Sequence, residues 1–301
     1  MTRKSRSYLS LPLAVVLLGL LSQPCLACEG APTPEELANA TYSGIEENPV
    51  TLISGRWEGE PYAEGGASRP SVGLVKDFYL NGDLDGDGTD ETVVLLWQSS
   101  GGSGTFDYLA VMDKKGDVVR NLATAEIGDR VKVRSARIED GLIVLDVVQQ
   151  AEGEAACCPS ELATRSWSLV GDQLMEGEAQ ITGTLSLETL DGTEWVLTHL
   201  KQNEAVTEEA EVTLLFADGQ VSGKSACNRY SASVEQGDSP GELKIGPAMG
   251  TRMACPDGLM ELEKQYLEAL SQVVGFSFLA GKLVLNQGED GGWSVMVFAP
   301  R

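Results

Sequence analysis

A single histidine, His199, stands in 301 residues. That count excludes histidine-dyad catalysis, zinc held by several histidines and haem held by a histidine pair. Cations are also scarce. Twenty-two Lys and Arg face 45 Asp and Glu, a formal charge of −23. A surface of that sign repels phosphate backbones and anionic headgroups, which sets aside nucleic acid and polybasic attachment to membranes. No apolar run approaches the ~20 residues a spanning helix needs. No repeat of 20–50 residues and no low-complexity tract is present. What is present is a 42% hydrophobic content, enough for packed cores, in a length that suits two domains.

The N-terminus reads as an export signal. Arg3, Lys4 and Arg6 form a positive segment, and residues 11–21 are an unbroken apolar run too short to span a bilayer. Residues 1–27 are therefore assigned as a signal peptide cut after Ala27. Losing them removes three cations and no acid, leaving 19 against 45 and a charge of −26. Ala27-Cys28 resembles a lipoprotein cleavage site, although Cys25 and Leu26 depart from the usual pattern. Of six cysteines, Cys25 leaves with the signal. An exported protein seldom keeps an odd thiol, and acylating Cys28 would leave an even four. Cys28 is the candidate lipidation site, and the protein is expected to be periplasmic or an outer-membrane lipoprotein. Its contact with the membrane would run only through that anchor.

The chain then divides near residue 180. Residues 34–42 read as one helix, with Thr33 as cap, Pro34 in the first turn, and Glu35 and Glu36 at the positive dipole end. Strands are expected at 50–53, 92–97, 108–112, 131–138, 142–148 and 164–169. The run 92–97 is continuously apolar, which marks a strand buried on both faces. Residues 171–192 are polar and rich in glycine and read as the connection. Beyond it, strands are expected at 193–197, 211–216, 220–224, 276–279, 282–285 and 293–298. One amphipathic helix should cover 257–274, with Gly275 as its cap. The fold class is α+β: two mainly antiparallel β domains, residues 28–180 and 181–301.

The densest chemical signal is Asn81-Gly-Asp-Leu-Asp-Gly-Asp-Gly-Thr-Asp-Glu91. Counting from Asp83, acids fall at positions 1, 3, 5 and 9, a glycine at 6, and Thr89 at 7, where a backbone carbonyl usually coordinates. Alternate carboxylates on a tight turn supply the oxygens that calcium requires. Two carboxylates about 5 Å apart repel by about 3 kcal/mol at an effective dielectric of 20, and a cation relieves this. Asp83, Asp85, Asp87, Thr89 and Glu91 are thus the candidate ligands of a structural Ca2+. Position 12 is Val94, so this is not an EF-hand. The loop resembles those of FG-GAP and dockerin modules over about a dozen residues, and only one copy is present.

A wider resemblance lies in residues 193–300. Trp195-Val-Leu197, Val221-Ser-Gly-Lys-Ser-Ala-Cys-Asn-Arg-Tyr230, Thr251-Arg-Met-Ala-Cys-Pro256, the amphipathic helix and Gly281-Lys-Leu-Val-Leu285 follow in the order of a META domain. This is the module of heat-inducible HslJ-type envelope proteins. The resemblance implies an α+β fold of mostly antiparallel strands with one helix, an envelope location, and no known reaction. Cys227 and Cys255 fall at the two family turns, and export makes their pairing the expected one. Closing that loop of about 28 residues is worth roughly 3.6 kcal/mol on the chain-entropy model. Cys157 and Cys158 are a further candidate disulfide, with each other or with another cysteine.

Other signals fail. Gly223-Lys224-Ser225 lacks the earlier P-loop glycine, since position 218 is Asp218. Residues 99–104 are glycine-rich but lie between two strands, and His199 has no evident nucleophile. The reading is a non-enzymatic envelope protein that binds or supports an envelope component or small ligand, with a link to stress that the family resemblance suggests. The alternatives are an exported hydrolase using carboxylates beside the acidic loop, and a calcium-dependent adhesion module.

Overall fold

The computed structural model describes residues 30–301 except 156, 202, 203, 290 and 291. The signal segment and Cys28 lie outside the described residues. The chain opens with α1 (Pro34–Leu37), β1 (Thr41–Tyr42) and β2 (Val50–Thr51), a strap folded back on itself. A first sheet follows in the order β3 (Arg56–Glu58), β4 (Ser71–Gly82), β5 (Glu91–Ser99), β6 (Phe106–Lys115) and β7 (Val118–Asp129). A second sheet holds β8 (Lys132–Glu139), β9 (Leu142–Gln149), β10 (Glu161–Val170), β11 (Gln173–Glu176) and β12 (Gln180–Thr184), the last two both paired with β10.

β5 explains this arrangement. Its residues 93–97 are apolar at every position, and alternate side chains point to opposite faces. Val93 and Leu95 join Leu109, Ile143, Leu145 and Trp167 in a core between the two sheets. Val94 and Leu96 face the other way, against Leu37, Tyr42, Val50 and Leu52 of the strap. Tyr42 donates to the Leu37 carbonyl at 2.8 Å. Lys114 reaches Glu36 at 2.8 Å and, as the largest cause, draws that carboxyl down to about 2.

The C-terminal sheet contains β13 (Glu194–Lys201), β14 (Glu204–Ala205), β15 (Thr213–Ala217), β16 (Gln220–Lys224), β17 (Arg229–Gln236), β18 (Leu243–Ile245) and β19 (Met249–Gly250). Helix α2 (Asp257–Ser271) precedes β20 (Val273–Leu279), β21 (Lys282–Glu289) and β22 (Gly292–Pro300). The strand order β18-β17-β16-β15-β13-β22-β21-β20 closes on itself through a bridge between Glu242 and Gly275. The Phe276 amide seals that seam on the Gly241 carbonyl at 2.7 Å. The result is barrel-like, and α2 buries Tyr266 and Leu270 against it. The barrel rests on the second sheet. Val148 and Leu162 enter its core, the Gly281 amide bonds the Val133 carbonyl at 2.9 Å, and Arg134 stacks over the Phe278 ring.

Several expectations need correction. The first helix stops at Leu37, not residue 42, because Tyr42 pairs with Val50 in β1–β2. Strands beyond those expected include β4, β7, β11, β12 and β17, and β11 and β12 carry the second sheet through the polar stretch read as a connection. Helix α2 ends at Ser271 and is capped by Gln272, while Val273 already belongs to β20. Gly275 serves the seam, where an added Cβ would lie 2.8 Å from the Gly241 oxygen.

One half-buried acid gives a pH test. Asp107 lies opposite Trp97 across β5–β6, and burial pushes its carboxyl up to about 7 despite the Lys132 charge. Between its ordinary 3.8 and about 7, the folded protein holds a proton that the unfolded chain releases. Stability therefore falls as pH rises through that window. Asp107→Asn should flatten this part of the urea-midpoint profile, raising the midpoint at pH 8 and leaving it nearly unchanged at pH 4.

Candidate functional site

The acidic loop connects β4 to β5. Gly86 and Gly88 take φ of 80° and 87°, which only glycine adopts without strain. Backbone amides then hold the acids. Asp83 accepts from the Gly86 amide at 2.7 Å and the Gly88 amide at 3.1 Å, and Asp85 accepts from the Asp87 amide at 3.0 Å. Glu91 is 2% exposed and accepts from the Leu84 amide at 2.8 Å. The loop packs beside the β8–β9 turn, with Gly82 against Ile138.

Asp83, Asp85 and Glu91 each place a carboxylate oxygen within 4.8 Å of the other two. Oxygens bound to one calcium at 2.3–2.6 Å lie up to roughly 5 Å apart, so this trio fits one coordination sphere. Asp87 is not in the trio. It accepts from the amide and hydroxyl of Thr89, which lower its pKa. Burial raises Glu91 above its ordinary value, and the charges of Asp85, Asp87 and Asp83 raise it further.

The second site surrounds the turn between β16 and β17. Cys227 and Cys255 meet in disulfide geometry with Cα atoms 6.0 Å apart. Asn228 is saturated: its Oδ1 accepts from Thr251 Oγ1 at 2.7 Å and the Met253 amide at 2.8 Å, and its Nδ2 donates to Glu263 at 3.0 Å. Glu263, on α2, also accepts from Ser225 Oγ and the Asn228 amide, both at 2.8 Å. The left-handed residue of the turn is Ala226, φ 71°. Glu263 was not singled out from the sequence. Its only signal there is a lone acid on the helix stripe, 35 residues from the asparagine it serves. Below the turn, the Tyr230 and Tyr266 hydroxyls meet at 2.6 Å, and burial raises both well above the usual tyrosine range.

A hollow of about 600 Å³ opens above this turn. Its charged residues largely engage one another: Lys224 reaches Glu211 at 2.7 Å, and Arg301 reaches Glu194 and Glu211 at 3.1 and 3.2 Å. His199 Nδ1 lies 3.1 Å from Thr198 Oγ1, whose hydroxyl donates to the Val297 carbonyl. Cys157 and Cys158 bring their sulfurs together within one loop. Glu154 ties that loop, accepting from the amides of Ala151 and Ser160 at 2.9 and 3.1 Å.

The cysteine geometry has a direct test. Non-reducing peptide mapping should recover a Cys227–Cys255 cross-link. Replacing both by alanine should cost about 3–4 kcal/mol in a denaturant melt. A cross-link from Cys227 to Cys157 or Cys158 would overturn this pairing.

Residues 188–299 match the family model described as META domain. Comparison with curated proteins gives no match. Among solved structures, a protein from Burkholderia xenovorans determined by NMR is similar, with 30% identity over 38% of this chain and 86% of its own, at a TM-score of 0.32. The C-terminal part of the chain, residues 188–299, thus carries the META domain match that the order of its motifs implies.

Proposed function

We propose that this is an exported, non-enzymatic envelope protein that binds or supports other envelope components, with a structural calcium in its N-terminal half. The observation that carries the envelope and stress association is the META match over residues 188–299. Two features favour binding over catalysis. The polar side chains at the Cys227–Asn228 turn are consumed by one another, which suits a rigid support. Glu91, the acid with the raised pKa in the loop, is 2% exposed and out of reach of a substrate in the hydrolase reading.

Calcium would be held by Asp83, Asp85 and Glu91, with Asp87 and Thr89 completing the shell. Asp87 would have to turn from Thr89 to do so. The work of the ion there would be to neutralise a crowded turn at the entry to β5. At a dissociation constant of about 0.1 mM, common for extracellular modules, 1 mM calcium stabilises by about 1.4 kcal/mol. That corresponds to a melting shift of roughly 3 to 5 °C. Asp85→Ala should abolish the calcium-dependent part, and magnesium should substitute poorly because it demands a tighter octahedron. The measurement is a thermal melt with calcium, magnesium or chelator. No calcium-specific shift in the wild type up to several millimolar would leave a solvated turn.

Export carries its own test. Intact mass of the mature protein should show a chain starting at Cys28, free or bearing a lipid adduct. A start beyond residue 31 would reject this reading. Capture from envelope extract with and without chelator then asks whether partner binding depends on the loop.

A further inference from the structure

Between the second sheet and the barrel lies a hollow of about 820 Å³. Small-molecule sites have this size and favour junctions between packed units. Its apolar wall includes Val148, Leu185, Phe276 and Phe278. The two phenylalanine rings meet edge to face at 6.1 Å. Cys157, Cys158 and Pro159 form one lip, and Val274, 44% exposed, stands on the barrel side. Joined neighbouring cysteines make a short ring whose side chains cannot rotate. They present two soft, polarisable sulfurs as a fixed surface, a good neighbour for a flat ring.

Charge distinguishes the occupant. Lys132 lines the same hollow. Its ammonium acts on Asp107 and Asp129 at longer range, yet it has no ion-pair partner within 4 Å among the described residues. Asp129 is already taken by Arg130 at 2.5 Å. The acid on the opposite wall, Glu242, is engaged by the Ser239 amide at 3.1 Å. Ser277 and Asn286 add polar groups to the same wall. In a chain of charge −23, an ammonium beside an apolar wall with no acid in direct contact among the described residues is a specific feature.

We infer that this hollow binds a small aromatic anion, its ring packed between the Cys157–Cys158 lip and the barrel wall and its acid group on Lys132. A ring without the acid would leave the ammonium with only its longer-range acids, whereas an acid without the ring would meet the repulsive field of the whole protein.

The probe is anilinonaphthalene sulfonate, which fluoresces when its ring leaves water, compared with uncharged phenyl-naphthylamine, on the full mature chain. One saturable sulfonate site per chain is expected, with weaker binding of the uncharged ring. Lys132→Met should weaken the sulfonate about tenfold and leave the uncharged ring unchanged, and Lys132→Arg should restore the sulfonate. Val274→Trp, at an exposed position, should weaken both by filling the space. Cys157→Ser with Cys158→Ser should also weaken both. In the wild type, NMR contacts from the probe to the Phe276 and Phe278 rings report the location without any variant. Absence of a saturable site, sulfonate affinity indifferent to Lys132→Met or to Val274→Trp, or probe contacts elsewhere would overturn the assignment.

Discussion

A strand that is apolar on both faces must be covered twice, and β5 imposes that requirement on the N-terminal half. One face, through Val93 and Leu95, calls for the second sheet with Trp167 at its centre. The other, through Val94 and Leu96, calls for the strap that Leu37 and Tyr42 anchor. The capping box of Thr33 and Glu36, with Lys114 on the same carboxylate, fixes the strap where this second cover is needed. The acidic loop enters β5 directly, so its geometry inherits the rigidity of the most buried strand in this half. Glu91 is both the first residue of that strand and the innermost acid of the loop.

The barrel uses a different device. Its seam needs backbone contact too close for a side chain, supplied by Gly241 and Gly275, while its motif turn needs polar saturation. Gly223 belongs to the same logic, because a Cβ there would lie 2.0 Å from the Thr213 carbonyl oxygen. Asn228 and Glu263 connect the turn, the 251–253 segment and α2 in one network, so the side-chain amide of Asn228 and the carboxylate of Glu263 both have partners. The disulfide geometry of Cys227 and Cys255 spans the same segments. The polar residues of the family turn are thus spent on holding three pieces of chain together.

This explains what was legible beforehand. β5 was readable because continuous apolarity has one structural meaning at that length. β4 was not. Asp77, at φ 60°, accompanies a register shift between Leu74 and Tyr79, so the alternation changes phase midway. β7 carries the effects of two shifts against β6, and every residue of β12 is exposed, leaving no apolar signal. The start of α2 was readable. Its end was not, because Val273 and Val274 continue the stripe after the chain has turned into β20. At the acidic loop the spacing named the acids, yet only the folded chain separates Asp83, Asp85 and Glu91 from Asp87. The role of Glu263 depends on a contact across 35 residues that no local pattern encodes.

Charge connects these levels. With so few cations, their placement is selective: Lys114 steadies the strap, Lys282 joins the barrel to Asp77 at 3.2 Å, and Arg301 and Lys224 share Glu211. The half-exposed pairs among them contribute little to stability individually, and orientation is their main effect. At the acidic loop, what holds the carboxylates is a set of amides from Leu84, Gly86, Asp87 and Gly88. Amide dipoles orient an acid without neutralising it. The loop therefore has its shape fixed while most of its negative charge remains, and the burial of Glu91 makes that charge costlier at the strand end than at the tip. The calcium proposed for this loop would be a counter-charge suited to this combination. It would act where the sequence is most acidic and the structure least able to spread the charge into water.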